Sequence, residues 1–169
     1  MTHVLQQTLD GSHTIYIPEM DEHYHSTNGA IQEAQHIYIS KAYNFSNCTN
    51  PTVFEVGFGT GLNALLTALE AEKQQRKTTY ISIEKYPIAE AEYSLLNFPY
   101  LIEENPIELF SKIQSASWNE FVEISPWFSL KKIHADLVNL GLIVIVGILD
   151  VDTCTANHNI IQYILTQLA

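Results

Sequence analysis

Apolar and polar positions change period along the chain, and the changes predict the elements. Two β-rich runs, residues 4–9 and 14–17, flank Asp10-Gly11-Ser12, whose aspartate and glycine suit a hairpin turn. A polar stretch, EMDEHYHSTNG, reads as a loop, and beyond it Ala30, Ile31, Ala34, Ile37 and Tyr38 recur at helical spacing. The asparagine-rich NFSNCTNP breaks that helix. Strand-like and helix-like segments then alternate: TVFEV, LNALLTALEAEK, TTYISIE and AEAEYSLLNF. A helix at residues 107–116 follows, then a strand at 128–134, a continuous apolar strand from Leu142 to Leu149, and an amphipathic segment at 160–168. Such alternation predicts an α/β fold, a parallel sheet covered by helices behind an N-terminal β-hairpin.

Within this pattern, residues 53–69, VFEVGFGTGLNALLTAL, place three glycines between a strand and a helix. A helix N-terminus carries unpaired N–H groups and partial positive charge, so a glycine turn there lets a polar ligand approach bare backbone. Gly57, Gly59 and Gly61 run G-x-G-x-G, with Leu62 where a dinucleotide fingerprint needs its third glycine, and this spacing disfavours NAD. Glu55, two residues before the first glycine, suits a ligand with a cationic end better than one with a pyrophosphate, and S-adenosylmethionine has such an end. One strand-helix-strand unit later, Glu84 closes TTYISIE, where a carboxylate can accept both hydroxyls of an adenosine ribose. The plain alternative is a tight turn whose glycines serve helix packing alone.

Composition narrows the setting. A chain of 169 residues, 46% of them hydrophobic, is long enough for one domain with a real core. Nineteen acids against 8 bases give a net charge of -11, which repels nucleic acid on average, so any such partner needs a local basic patch. Lys41, the group Lys73, Arg76 and Lys77, and the pair Lys131 and Lys132 are the bases available for it. Cys48 and Cys154 stand alone, as ordinary reduced thiols do. No basic segment precedes an apolar one at the N-terminus, and the longest apolar run falls well short of the roughly 20 residues that span a bilayer. The expectation is therefore a cytoplasmic protein with no membrane partner.

The polar segment DGSHTIYIPEMDEHYHSTNGAIQEAQHIYI invites two functional readings. His23, His25 and His36 with Asp21 or Glu22 present metal-ligating groups, but H-x-H on a loop is a short signal and no metal is expected. The other reading is a substrate loop across the mouth of the cofactor crevice, against the plain one of a solvated loop capped by Asn28-Gly29.

Together, that segment, FEVGFGTGLNALLT and IEKYP resemble the MnmC N-terminal-domain-type (MnmD) tRNA wobble-uridine methyltransferases over residues 8–137. The resemblance implies a class I methyltransferase (Rossmann-like) fold that uses S-adenosylmethionine to methylate the exocyclic amine of 5-aminomethyl(-2-thio)uridine at the wobble position of tRNA. Carried over by position, Gly57, Phe58, Gly59, Thr60, Gly61, Leu62 and Asn63 would form the cofactor loop, with Glu55 before it. Glu84 would hold the ribose and Asp136 would stand beside the adenine. Asp21, Tyr24, His25, Ser26, Asn28, Gly29 and Glu33 would border the target base.

The resemblance stops downstream. In place of the family's F-D-A-F-A-P-like acid motif and further strands, the chain reads LGLIVIVGILDVDTCTANHNIIQYILTQLA, leaving Asp150 as the one candidate catalytic acid. This implies a single methyltransferase-like domain, residues 1–50 carrying hairpin, loop and helix and 51–169 a core truncated after its fourth strand. An apolar strand at residues 142–149 with no neighbour would favour self-association through its edge. The alternative function is a catalytically impaired, S-adenosylmethionine-binding remnant, and an ending out of frame with the start would produce one.

Overall fold

The computed structural model describes residues 1–137; Asp150, the expected strand at 142–149 with its proposed self-association, and the segment at 160–168 lie outside the described residues. The chain opens with an antiparallel sheet of β1 (Val4–Gln7), β2 (His13–Ile17) and β3 (Glu22–His23) in that order. The expected hairpin is its first pair, with Val4 opposite Tyr16.

The hairpin turn does a second job. The helix α1 (Ala30–Ala34) follows Gly29, which has no side chain to cap it, so its free N–H groups find acceptors in the turn instead. Ser12 Oγ accepts from Ala30 N at 3.1 Å, and Asp10 Oδ2 accepts from Gln32 N at 2.9 Å. A Cβ on Gly29 would sit 2.7 Å from Asp10 Oδ2, so glycine is what allows the close approach. Burial alone would raise the Asp10 pKa, yet hydrogen bonds from Ser12, Gln32 and Thr8 outweigh it and bring it down to about 2. Asp10→Ala is expected to cost about 1–2 kcal/mol, as loss of a helix cap does, seen as a lower thermal midpoint. Because the folded-state pKa is depressed, this contribution is present above the ordinary carboxylate pKa and fades as pH falls towards 2. The wild type should therefore lose its advantage over the variant in acid.

The helix continues in wider π winding over Gln35–Tyr43, and Asn44 N donates five residues back to Ile39 O at 2.8 Å. Next come β4 (Thr52–Val56), α2 (Leu62–Gln74) and β5 (Thr78–Glu84), the strand-helix-strand unit expected from the sequence. Three short helices follow, α3 (Glu90–Tyr93), α4 (Phe98–Leu101) and α5 (Ile107–Ser115), then β6 (Phe121–Ser125) and β7 (Phe128–His134). The second sheet runs β4-β5-β7-β6, with β4, β5 and β7 parallel and β6 antiparallel to β7.

Two elements depart from expectation. The helix foreseen at residues 89–98 is split, because Pro99 has no N–H to carry a helix through and instead sits in the first turn of α4. Asn97, at the break, ties this helical segment to the first sheet: its Nδ2 donates to Gly11 O at 2.9 Å and its Oδ1 accepts from His13 N at 2.8 Å. The antiparallel β6 was not foreseen; only Ile124 of its residues is buried and its register shifts between Glu123 and Ser125, so FVEIS shows little apolar alternation.

Leu62, Leu65 and Ala68 of α2 pack into the same core as Tyr80, Phe128 and Leu130 of the sheet. Arg76, counted among bases for nucleic acid, serves the fold. Its guanidinium donates to the carbonyls of Cys48 (2.7 Å), Tyr43 (3.0 Å) and Ser46 (2.8 Å) and lies over the Tyr43 ring. It thereby fastens the loop that leads into β4.

Candidate functional site

Parallel pairing brings the carboxyl ends of β4 and β5 side by side, with Glu55 opposite Ser82 and Val56 opposite Ile83. The chain leaves β4 through Gly57, Gly59 and Gly61, all at positive φ. Two of these glycines are required by their neighbours. A Cβ on Gly59 would stand 2.9 Å from the Tyr24 ring, and one on Gly61 would stand 2.6 Å from Gln114 Nε2 and 3.0 Å from Phe58 Cζ. A Cβ on Gly57 would meet nothing within 4 Å.

The loop borders a cavity of about 290 Å³ whose wall includes Tyr24, His25, Tyr38, Phe54, Glu55, Val56, Gly57, Phe58, Gly59, Thr60, Asn63 and Glu84. That volume is of the order of a small-ligand site. Ligand sites of open parallel sheets lie at the carboxyl ends of strands, where this cavity lies.

Two carboxylates face into it. Glu55 is buried, accepting from Ser82 Oγ at 2.7 Å and Asn63 Nδ2 at 3.0 Å. Burial pushes its pKa up to about 7, against the pull of hydrogen bonds from Ser82, Asn63 and Tyr80, and the nearby charge of Glu84 adds to the rise. Glu84 braces the loop: one oxygen accepts from Gly59 N at 3.0 Å and the other from Tyr86 N at 2.8 Å. Each carboxylate oxygen has two acceptor positions, so Glu84 keeps capacity for ligand hydroxyls. Beside Glu55, Asn63 Oδ1 is buried with no hydrogen-bond partner. A buried unpaired acceptor is costly, and a ligand N–H arriving between Asn63 and Glu55 would relieve it.

The N-terminal sheet closes one side. His25 Nε2 and Thr60 Oγ1 share a hydrogen bond, and burial lowers the His25 pKa to about 4, so this imidazole is neutral at physiological pH. Tyr24 is a phenol throughout, its pKa raised to about 12 by burial and by the charges of Glu84 and Glu92. Tyr38 contributes a second phenol, also raised, by burial and by Glu55.

Of the residues expected at the target base, Tyr24 and His25 reach the cavity, and the other five do not line it. Asp21 lies in an exposed turn and accepts from Tyr16 OH at 2.8 Å. Glu33 accepts from Ser26 N at 3.1 Å, Ser26 Oγ accepts from Asn28 N at 3.2 Å, and Gly29 packs on Asp10. These four shape the approach to α1. In the cofactor set, Glu55, Gly57, Phe58, Gly59, Thr60, Asn63 and Glu84 line the cavity, while Gly61 and Leu62 begin α2 behind it. Asp136, just past β7, pairs with Lys85 at 2.7 Å, beside Glu84 on the neighbouring strand.

Sequence reasoning missed Tyr38 and Ser82 as site residues. Ser82 left a signal, a hydroxyl inside the otherwise apolar run YISI, whose need for a partner Glu55 meets. Among the described residues no group of three metal-ligating side chains gathers; His23 instead bonds Gln6.

No known family's sequence profile matches the chain. A solved structure, MnmC2 from Aquifex aeolicus, is similar at a TM-score of 0.60 and 23% identity, over 85% of this chain and 46% of that one. The fold class this defines is the α/β fold of that structure, here a mostly parallel sheet behind an N-terminal antiparallel sheet. In sequence, the chain is 36% identical over 104 residues to the tRNA 5-methylaminomethyl-2-thiouridine biosynthesis bifunctional protein MnmC of Leptospira borgpetersenii, 56% of this chain and 16% of that protein. It is 33% identical over 96 residues to the MnmC of Cupriavidus metallidurans, 52% of this chain and 14% of that one. The chain is thus similar over about half its length to part of these MnmC proteins, and it spans about a sixth of the length of the curated relatives it matches. Among the described residues, no helix is long and apolar enough to cross a membrane.

Proposed function

We propose that the chain binds S-adenosylmethionine in the cavity between β4, β5 and the glycine loop. There it methylates the exocyclic amine of 5-aminomethyl(-2-thio)uridine at the tRNA wobble position. One observation carries the cofactor reading: the buried carboxylate of Glu55 stands next to the unpartnered Asn63 Oδ1, an acceptor pair for an ammonium, with Glu84 across the loop for ribose hydroxyls. Glu55, close to the glycine loop, would oppose the pyrophosphate of NAD.

Bound S-adenosylmethionine supplies a methyl group on a sulfonium, transferred in line to a neutral amine. The residues of this chain supply position and dryness. Glu55 and Asn63 would hold the amino-acid end, Glu84 the ribose, and Thr60, fixed by His25, keeps the loop in place. Alignment of this kind supplies much of the rate for a two-substrate displacement. Neutral His25 and the phenols of Tyr24 and Tyr38 add no positive charge that would repel a sulfonium. For tRNA, Lys41, Lys73 and Lys77 are exposed and Lys131 is half-buried, while Arg76 is engaged in the fold. Asp150 is proposed as the acceptor of the amine proton.

Incubation with methyl-labelled S-adenosylmethionine and tRNA bearing unmethylated 5-aminomethyl-2-thiouridine tests the proposal. Label at the wobble nucleoside is expected. Cofactor binding without transfer would establish the remnant instead, the reading favoured by the loss of the family's acid motif around Asp150.

A further inference from the structure

Lys132 faces inward from β7, with an accessible surface of 1%, although the sequence offered it as a base for nucleic acid. Its ammonium lies 4.8 Å from the centre of the Trp118 ring and 5.3 Å from that of Phe58, and it donates to Gln114 O at 2.7 Å. It has no salt bridge among the described residues. Gln114, held at the last turn of α5, donates from its side chain to Thr60 O at 2.8 Å and packs where a Cβ of Gly61 would be. Phe58 and Thr60 are themselves loop residues. A buried cation between two aromatic faces is well placed to attract both rings, and here it joins the loop to α5 from beneath. It also lines a cavity of about 300 Å³ with Phe58, Gly59 and Trp118, separate from the one lined by Glu55 and Asn63.

We infer that Lys132 is the positioning residue of the glycine loop, setting its geometry for the adenosyl ligand through Phe58 and through the Gln114 to Thr60 contact. The inference rests on the cofactor reading for its consequence in affinity, but the anchoring of the loop is independent of any ligand.

Titration separates an anchor from a space-filler. Burial alone lowers the Lys132 pKa to about 8. The titratable groups around it are Glu90 and Tyr93 of α3, which line the same cavity, and His134, whose ring packs on Trp118. Since the folded-state pKa is depressed, the unfolded chain holds the proton longer between pH 8 and the ordinary lysine value, and global stability rises with pH there. A lysine that merely filled space would carry loop protection upward with it. An anchoring ammonium predicts the reverse, because its cation–π attraction and charge-assisted hydrogen bond weaken when it loses its proton.

The experiment is amide hydrogen exchange at Gly59 and Gly61, corrected for intrinsic rates, on wild type and Lys132→Met at pH 7 and pH 9, with calorimetric titration of S-adenosylhomocysteine alongside. Expected are loop protection that falls at least fivefold in Lys132→Met at pH 7, a fall from pH 7 to 9 in wild type that is absent in the variant, and affinity at least tenfold weaker in the variant. Gln114→Ala, which keeps the lysine, should reproduce the loop effect. Unchanged loop protection in a folded Lys132→Met, or wild-type protection that rises with pH, overturns the inference. If wild type binds no S-adenosylhomocysteine while the exchange pattern holds, the cofactor reading falls and the anchor stands.

Discussion

Affinity for S-adenosylmethionine should rise roughly 50-fold between pH 5 and pH 7, and Glu55→Gln should abolish that dependence. With a pKa of about 7, the Glu55 carboxyl is half ionised at pH 7 and about one part in a hundred ionised at pH 5. Only the ionised form attracts the ammonium of the ligand, so binding draws the proton off and strengthens with pH in this window. His25, already neutral above about pH 4, does not confuse the reading. Stability runs the other way. A carboxyl whose folded-state pKa is raised favours folding while protonated, and holding it ionised at pH 8 costs the ligand-free protein about 3 kcal/mol. Glu55→Gln removes that cost, since a neutral amide can still bond Ser82, and Asn63 can turn its own amide to match. The variant should thus melt higher than wild type at pH 8 and bind the cofactor with a weak, pH-independent affinity. Titrations at three pH values and one pair of melting curves check both halves.

The second large effect is on folding. Gly61→Ala is expected to lower stability by about 2–4 kcal/mol, combining about 1–2 kcal/mol for a side chain at left-handed φ with the strain of an overpacked contact. The backbone there has φ +74°, and the new methyl would meet Gln114 Nε2 at 2.6 Å and the Phe58 ring at 3.0 Å. Gln114 cannot retreat without giving up the Thr60 carbonyl. Gly57→Ala is the control. At φ +87° it bears the backbone penalty alone, because its methyl projects into open space, so it should fold nearly as well while intruding on the ligand cavity. Urea denaturation of the two variants against wild type measures the difference.

The strand-helix-strand unit was legible because each of its segments is long and its periodicity clean. TTYISIE is buried almost throughout, and α2 turns Leu62, Leu65 and Ala68 inward at helical spacing. The glycine loop was legible for a related reason: left-handed backbone beside bulky neighbours leaves few other residue choices. The short β6, with Ile124 its one buried residue, and the split at Pro99 were not, since neither has enough buried positions to impose a period. Within the site, Glu55 declared itself two residues before the first glycine and Glu84 by closing the next strand, whereas Tyr38 did not, because a helical tyrosine reads as core until the fold shows what it faces. Much of DGSHT…STNG proved to have a structural task. Asp10 and Ser12 cap a helix 18 to 22 residues away in sequence, a contact that no local pattern shows. Lys132 was misread for the same reason: a lysine on a strand looks like surface until its neighbours are known.

The central claim is that the crevice of Glu55, the glycine loop and Glu84 takes an adenosyl ligand with a cationic amino-acid end. Calorimetric titration of the wild type and Glu84→Ala with S-adenosylmethionine at pH 7 tests it most directly. One-to-one binding to wild type, at least 100-fold weaker in a folded Glu84→Ala, is the expected result. Equal binding by the two proteins, or binding of NAD in place of S-adenosylmethionine, would contradict it.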